Sequence, residues 1–130
     1  MSRSFARECA FKLVFEYVFN KEKNINLFDE YLNEDKNKQE VGYLSDVYNG
    51  IISHYDEFIE DIKKVSSSFK LDRIYKVDLA ILLVALYEIK YIKSIPNKVS
   101  INEALNLAKT YSTEKSNAFI NGILSNFVGE

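Results

Sequence analysis

The chain has 130 residues, of which 47% are hydrophobic and 28% charged, a balance that excludes an intrinsically disordered polypeptide and suits one folded domain. One cysteine excludes an internal disulfide and a multi-cysteine zinc site. The formal net charge of −2 excludes a global electrostatic pull on nucleic acid, so any RNA binding must rest on a local patch or on a partner.

One proline and four glycines leave little turn material for a many-stranded sheet and predict long helices joined by short polar loops. The expected fold is all-α: a helical bundle of about seven helices in two packed subdomains, residues 1–65 and 69–130, forming one domain. The first helix spans residues 3–20, with Ser2 or Ser4 as its cap. At about 100° per residue, Ala6, Cys9, Ala10, Leu13 and Tyr17 share a face, while Arg7, Phe11, Val14 and Val18 form the neighbouring stripe. Apolar groups therefore cover most of this helix, which is either sandwiched within the fold or presents an apolar strip to a second protein. Cys9 falls on the core face as a small inert thiol.

A short helix carrying Leu27, Phe28, Tyr31 and Leu32 comes next, then a polar loop from Asn33 to Lys38. Val41, Leu44, Val47, Tyr48, Ile51 and Ile52 recur at helical spacing, and Phe58, Ile59, Ile62 and Val65 continue it after a break near Ser53 to Asp56. His54 is the only histidine, and a helix-end or surface position suits it better than catalysis. Glu57, Glu60, Asp61, Lys63 and Lys64 read as a solvated face. Ser66 to Ser68 marks the internal boundary and is too short for an interdomain linker.

From Val77 to Tyr87, ten of eleven residues are apolar. Asp78 interrupts the run and Lys76 and Glu88 close it, as for a helix buried inside a bundle; eleven residues is long for a core strand. No stretch approaches the roughly 18 apolar residues of a membrane span, and the N-terminus has Arg3 and Arg7 but no signal-type apolar core, so a cytoplasmic protein is expected.

Pro96 stops helical structure and biases Ile95 toward extended geometry. Ser100 and Glu103 have the spacing of a capping box, which predicts a helix starting at Ser100 with Ala104, Leu105, Leu107 and Ala108 on its apolar face. Ser112 and Thr113 then turn the chain into a last helix over 115–127. Gly122 inside that helix costs about 1 kcal/mol relative to alanine, which predicts a close helix crossing. Phe119 heads a stripe with Ile120, Ile123, Leu124 and Phe127, and the stripe alone leaves it between core and surface.

The Val77 to Tyr87 run, Ile95 and Pro96, the Val99 to Ala104 segment and the Phe119 to Leu124 segment together resemble the NusB family of transcription antitermination factors. Ala6, Arg7, Glu8, Cys9 and Ala10 extend the match to the N-terminus. The resemblance implies an all-α protein without a catalytic cofactor. Such a protein holds the single-stranded boxA segment of nascent ribosomal RNA with the ribosomal protein NusE, and the pair recruits further Nus factors to RNA polymerase.

The resemblance places Lys115, Ser116, Asn117 and Phe119 at the RNA surface, where an aromatic face stacks on an unpaired base. It places Arg3 and Arg7 there as well, four residues apart and able to span adjacent phosphates. Ser4 and Phe5 stand where the family often has arginines. Contacts to NusE fall on Phe15, Asp72 and Asp78, with Phe15 lacking the hydroxyl of the tyrosine common there. Leu83 replaces a frequent arginine, while Tyr87 and Glu88 are retained. The alternatives are a protein-only module with a peptide-binding helical groove, and an RNA-binding fragment of a ribosomal RNA cytosine methyltransferase, for whose methyl-donor domain no room remains before Glu130. A homodimer through the apolar first helix is a further arrangement, one that would occlude the RNA site.

Overall fold

The computed structural model describes residues 2–34, 38–66 and 71–129, which form seven α-helices and two short 3-10 turns. The helices are α1 (Arg3–Asn20), α2 (Ile25–Glu34), α3 (Lys38–Ser53), α4 (Tyr55–Val65), α5 (Lys76–Tyr91), α6 (Asn97–Tyr111) and α7 (Ser116–Leu124). The 3-10 turns, Leu71–Arg73 and Ser125–Phe127, precede α5 and follow α7. No helix among the described residues is long and apolar enough to cross a membrane.

The centre of the molecule is α5. Every residue from Leu79 to Leu86 is buried, because α1, α3, α6 and α7 all pack around it. A helix that is apolar on all sides is stable in water only in such a position. Leu83 is fully buried, so an aliphatic side chain fills its place in the bundle.

Ser2 caps α1, its hydroxyl accepting from the Phe5 amide at 3.0 Å. At the other end Lys21 adopts a left-handed conformation (φ 57°) and its ammonium donates to the Val18 carbonyl at 2.6 Å. The sandwiched arrangement holds for one part of α1, and another part leaves apolar side chains uncovered. Ala6, Ala10, Leu13 and Val14 are sealed between α3 and α5, whereas Phe15 is half-buried and Phe19 is 58% exposed.

Several boundaries differ from expectation. Asn33 and Glu34 belong to α2 and Lys38 opens α3, and the remainder of the expected polar loop lies outside the described residues. The break before α4 narrows to His54, which sits at that helix end with its ring stacked on Tyr91 at 4.6 Å and Nδ1 3.1 Å from Glu57. Of the expected Ser66 to Ser68 boundary, Ser66 ends α4 and the other two serines lie outside the described residues.

The capping box at Ser100 does not form. The helix begins three residues earlier, at Asn97, with Pro96 in an extended conformation at the cap position. Proline is at home at a helix start because it lacks the amide hydrogen that would go unpaired there. The freed Ser100 hydroxyl turns inward to Glu88 instead. The close crossing expected at Gly122 is also absent: this residue is exposed, and a Cβ added to it would meet nothing within 4 Å. The close approach occurs at Gly50, where an added Cβ would collide with the Tyr87 ring.

Candidate nucleic-acid interface

The turn from α6 to α7 is fixed by a knot of short side chains. Ser112 donates to one oxygen of the Asp78 carboxylate at 2.5 Å, and Ser116 donates to the other at 2.9 Å. The Ser116 hydroxyl also lies 2.7 Å from that of Ser112 and 3.0 Å from that of Thr113. A carboxylate accepting from two hydroxyls makes charge-assisted bonds, stronger than neutral ones. They hold the start of α7 against the start of α5.

This knot corrects two expectations. Ser116 is 2% exposed and Asp78 is 4% exposed, so neither side chain is offered to RNA or to a partner protein. Their polar atoms are spent inside the fold, on positioning. What they position is the outer face of the α7 start: Lys115 and Asn117 are exposed and Phe119 is half-buried. Phe119 lines an open pocket of about 610 Å³ with Arg73, Tyr75, Thr113, Lys115 and the buried Asp78 and Ser116.

Arg7 requires a third correction. Its guanidinium is buried between α1, α5 and α6, with Nε 2.6 Å and Nη2 3.3 Å from the Glu88 carboxylate and Nη1 3.4 Å from Glu103. Glu88 has no exposed surface and also accepts from Ser100 at 2.7 Å and from the Tyr43 hydroxyl. Burial alone would lower the Arg7 pKa, but the Glu88 bond and the surrounding negative charge outweigh it and raise it. Burial, reinforced by Glu88, pushes the Tyr43 hydroxyl up. A guanidinium committed in this way is an internal strut and does not reach a phosphate.

Arg3 remains accessible. It is partly exposed, pairs with Glu40 at 2.5 Å, and lies 4.3 Å from the centre of the Tyr43 ring. The neighbouring Ser4 hydroxyl donates to Glu103 at 3.2 Å, which fixes the α1 start beside the first half of α6. Lys115 lies beyond the far end of α6, a helix rise of about 12 Å from Glu103 to Tyr111. The two basic positions thus stand apart along α6.

The residues expected to contact NusE are divided as well. Asp72 is exposed on its 3-10 turn and Asp78 is internal, as described above. Phe15 belongs to an aromatic row that sequence reasoning did not assemble: Tyr111 to Phe11 at 5.0 Å, Phe11 to Phe15 at 6.3 Å, and Phe15 to Phe19 edge-on at 5.0 Å. The row lines two adjoining hollows of about 450 and 400 Å³, the second sharing Tyr75 and Thr113 with the pocket at Phe119. Tyr111 is held by donation to Glu8, and that bond, with some burial, pushes its pKa up to about 12.

Arg73, Tyr75 and Thr113 were missed from the sequence because none lies on a periodic apolar stripe. For Tyr75 there was one signal, an aromatic residue just before the buried run and outside it. It sits at the α5 cap position and is 60% exposed.

Comparison with known proteins agrees with this architecture along the whole chain. The family model described as "NusB family" matches residues 4–129. The chain is 40% identical to the transcription antitermination protein NusB of Clostridium novyi, over 98% of both proteins. It is 43% identical to the protein of that name from Alkaliphilus oremlandii, over 98% of this chain and 94% of the relative. Among solved structures, NusB of T. maritima superimposes with a TM-score of 0.88 at 30% identity, covering 98% of this chain and 90% of that one. A chain from the crystal structure of antitermination factors NusB and NusE in complex with dsRNA gives a TM-score of 0.84 at 28% identity, covering 96% and 94%. The fold, the buried α5 and the full-length matches together establish that this chain belongs to the NusB family.

Proposed function

We propose that this chain is a non-catalytic transcription antitermination factor that binds boxA-type RNA together with NusE in the cytoplasm and joins a larger complex on RNA polymerase. The observation that carries the reading is the near full-length likeness to a chain of a solved complex of NusB and NusE with double-stranded RNA. The geometry supports it: an exposed lysine and amide and a half-buried aromatic ring stand at the start of α7, beside an aromatic row suited to a protein partner. Nothing here needs a bond to be made or broken; the free energy of binding serves assembly. Within this reading, α7 and Arg3 serve the RNA, Phe15 and Asp72 serve NusE, and the two helical subdomains act as one rigid unit.

The slightly acidic charge explains why a partner is needed, since few cations are available to displace counterions from RNA. Titration of a labelled boxA strand at one fixed salt concentration tests this. Affinity for the chain alone should be weak and rise clearly when NusE is added. Equal affinity with and without NusE would overturn the proposal.

A further inference from the structure

We propose that the pocket between the start of α5 and the start of α7 takes a single unstacked RNA base, packed against Tyr75 and Phe119, with Arg73 and Lys115 on its flanking phosphates. This rests on the RNA-binding reading above and assigns it a site and two further residues. The pocket's volume of about 610 Å³ lies within the range of small-molecule sites, enough for a nucleotide with its phosphate. Its walls are of two kinds. Tyr75 is held out at the cap of α5, and Phe119, on the first turns of α7, lines the same pocket. Aromatic faces attract a base of any sequence.

Charge selects the same occupant. Among the described residues neither Arg73 nor Lys115 is engaged in an ion pair, so both cations are available. The Asp78 carboxylate is already satisfied by Ser112 and Ser116, which leaves Glu114 as the one uncommitted acid among the described lining residues. Thr113 adds a hydroxyl that can meet a base edge. An apolar peptide side chain would use the rings and leave both cations idle, whereas a nucleotide uses all four groups. Tyr75 and Thr113 also border the hollow beside Phe15 and Phe19, so a base seated here would lie next to a protein held on the aromatic row.

The test uses the full chain with NusE and a single-stranded boxA RNA. Tyr75 and Arg73 are exposed, so Tyr75→Ala and Arg73→Ala should melt like the parent, and each should weaken RNA binding, Tyr75→Ala by about tenfold. Tyr75→Phe should bind like the parent. An abasic scan of the RNA should find one position at which Tyr75→Ala no longer has an effect. RNA binding unchanged by Tyr75→Ala and Arg73→Ala would overturn the pocket assignment while leaving the RNA-binding reading intact. Loss of NusE binding by Tyr75→Ala in the absence of RNA would assign the pocket to protein and overturn it as well. Failure of the parent chain with NusE to bind RNA would sink both readings.

Discussion

Glu88, fully buried, accepts hydrogen bonds from Arg7, Ser100 and Tyr43, side chains of three other helices. Removing the cation strands a buried carboxylate, so Arg7→Ala should destabilise the protein by about 3–5 kcal/mol in urea denaturation. Arg3→Ala, at a partly exposed pair, should change stability by less than about 1 kcal/mol while reducing the steepness of the RNA log-affinity versus log-salt slope by about 0.7. The reverse pattern, a stable Arg7→Ala with a flattened salt slope, would put Arg7 on the RNA path. The helical stripe already grouped Arg7 with Phe11, Val14 and Val18, all of them buried, but its residue type and the family's basic segment argued for the surface. The periodicity was the better guide. Phe119 is half-buried, so packing and the proposed stacking on RNA both bear on it. Phe119→Ala should weaken RNA binding by about 1–3 kcal/mol and lower stability by less than the about 3–5 kcal/mol of a fully buried phenylalanine. A stability loss in that full range without a separate RNA defect would make it a core residue.

Between elements, two helical glycines make opposite demands. Gly50 faces the Tyr87 ring where α3 meets α5, so Gly50→Ala forces the ring to move and should lower the melting temperature. Gly122 faces open space, and Gly122→Ala should stabilise by up to about 1 kcal/mol. Calorimetry of the two variants checks both signs at once. The junction of α4 with α5 predicts a pH dependence. Lys90 at 2.7 Å, then the Tyr91 hydroxyl at 2.8 Å, hold the Glu57 carboxyl below the usual carboxylate range. Its contribution is present above the unfolded-state pKa and is lost as pH falls through the lowered folded-state value. Glu57→Gln should therefore flatten the loss of stability on acidification, an effect kept small by solvent exposure. An unchanged acid limb would show that Glu57 contributes nothing to the pH dependence. At this scale the helices were legible from spacing, but their ends were decided by particular contacts. The Ser100 and Glu103 pair fits a capping box in sequence, yet Pro96 starts the helix and the buried Glu88 claims the serine.

Across the molecule, the bundle and its central helix were readable because a helix apolar on all sides has one stable place in water. The pocket was not readable. It joins Arg73 and Tyr75 to Lys115 and Phe119 through the Asp78 knot, and local periodicity carries no information about pairings across that many residues. We propose that this NusB-family chain meets RNA on the face built by the start of α7, with NusE alongside. Amide hydrogen exchange of the chain with NusE, compared with and without boxA RNA, reads that face residue by residue. Added protection is expected from Lys115 to Phe119, from Arg73 to Tyr75 and at the first turn of α1, with α4 unchanged. Protection confined to α4, or an α7 start that exchanges at the same rate in both samples, would contradict it.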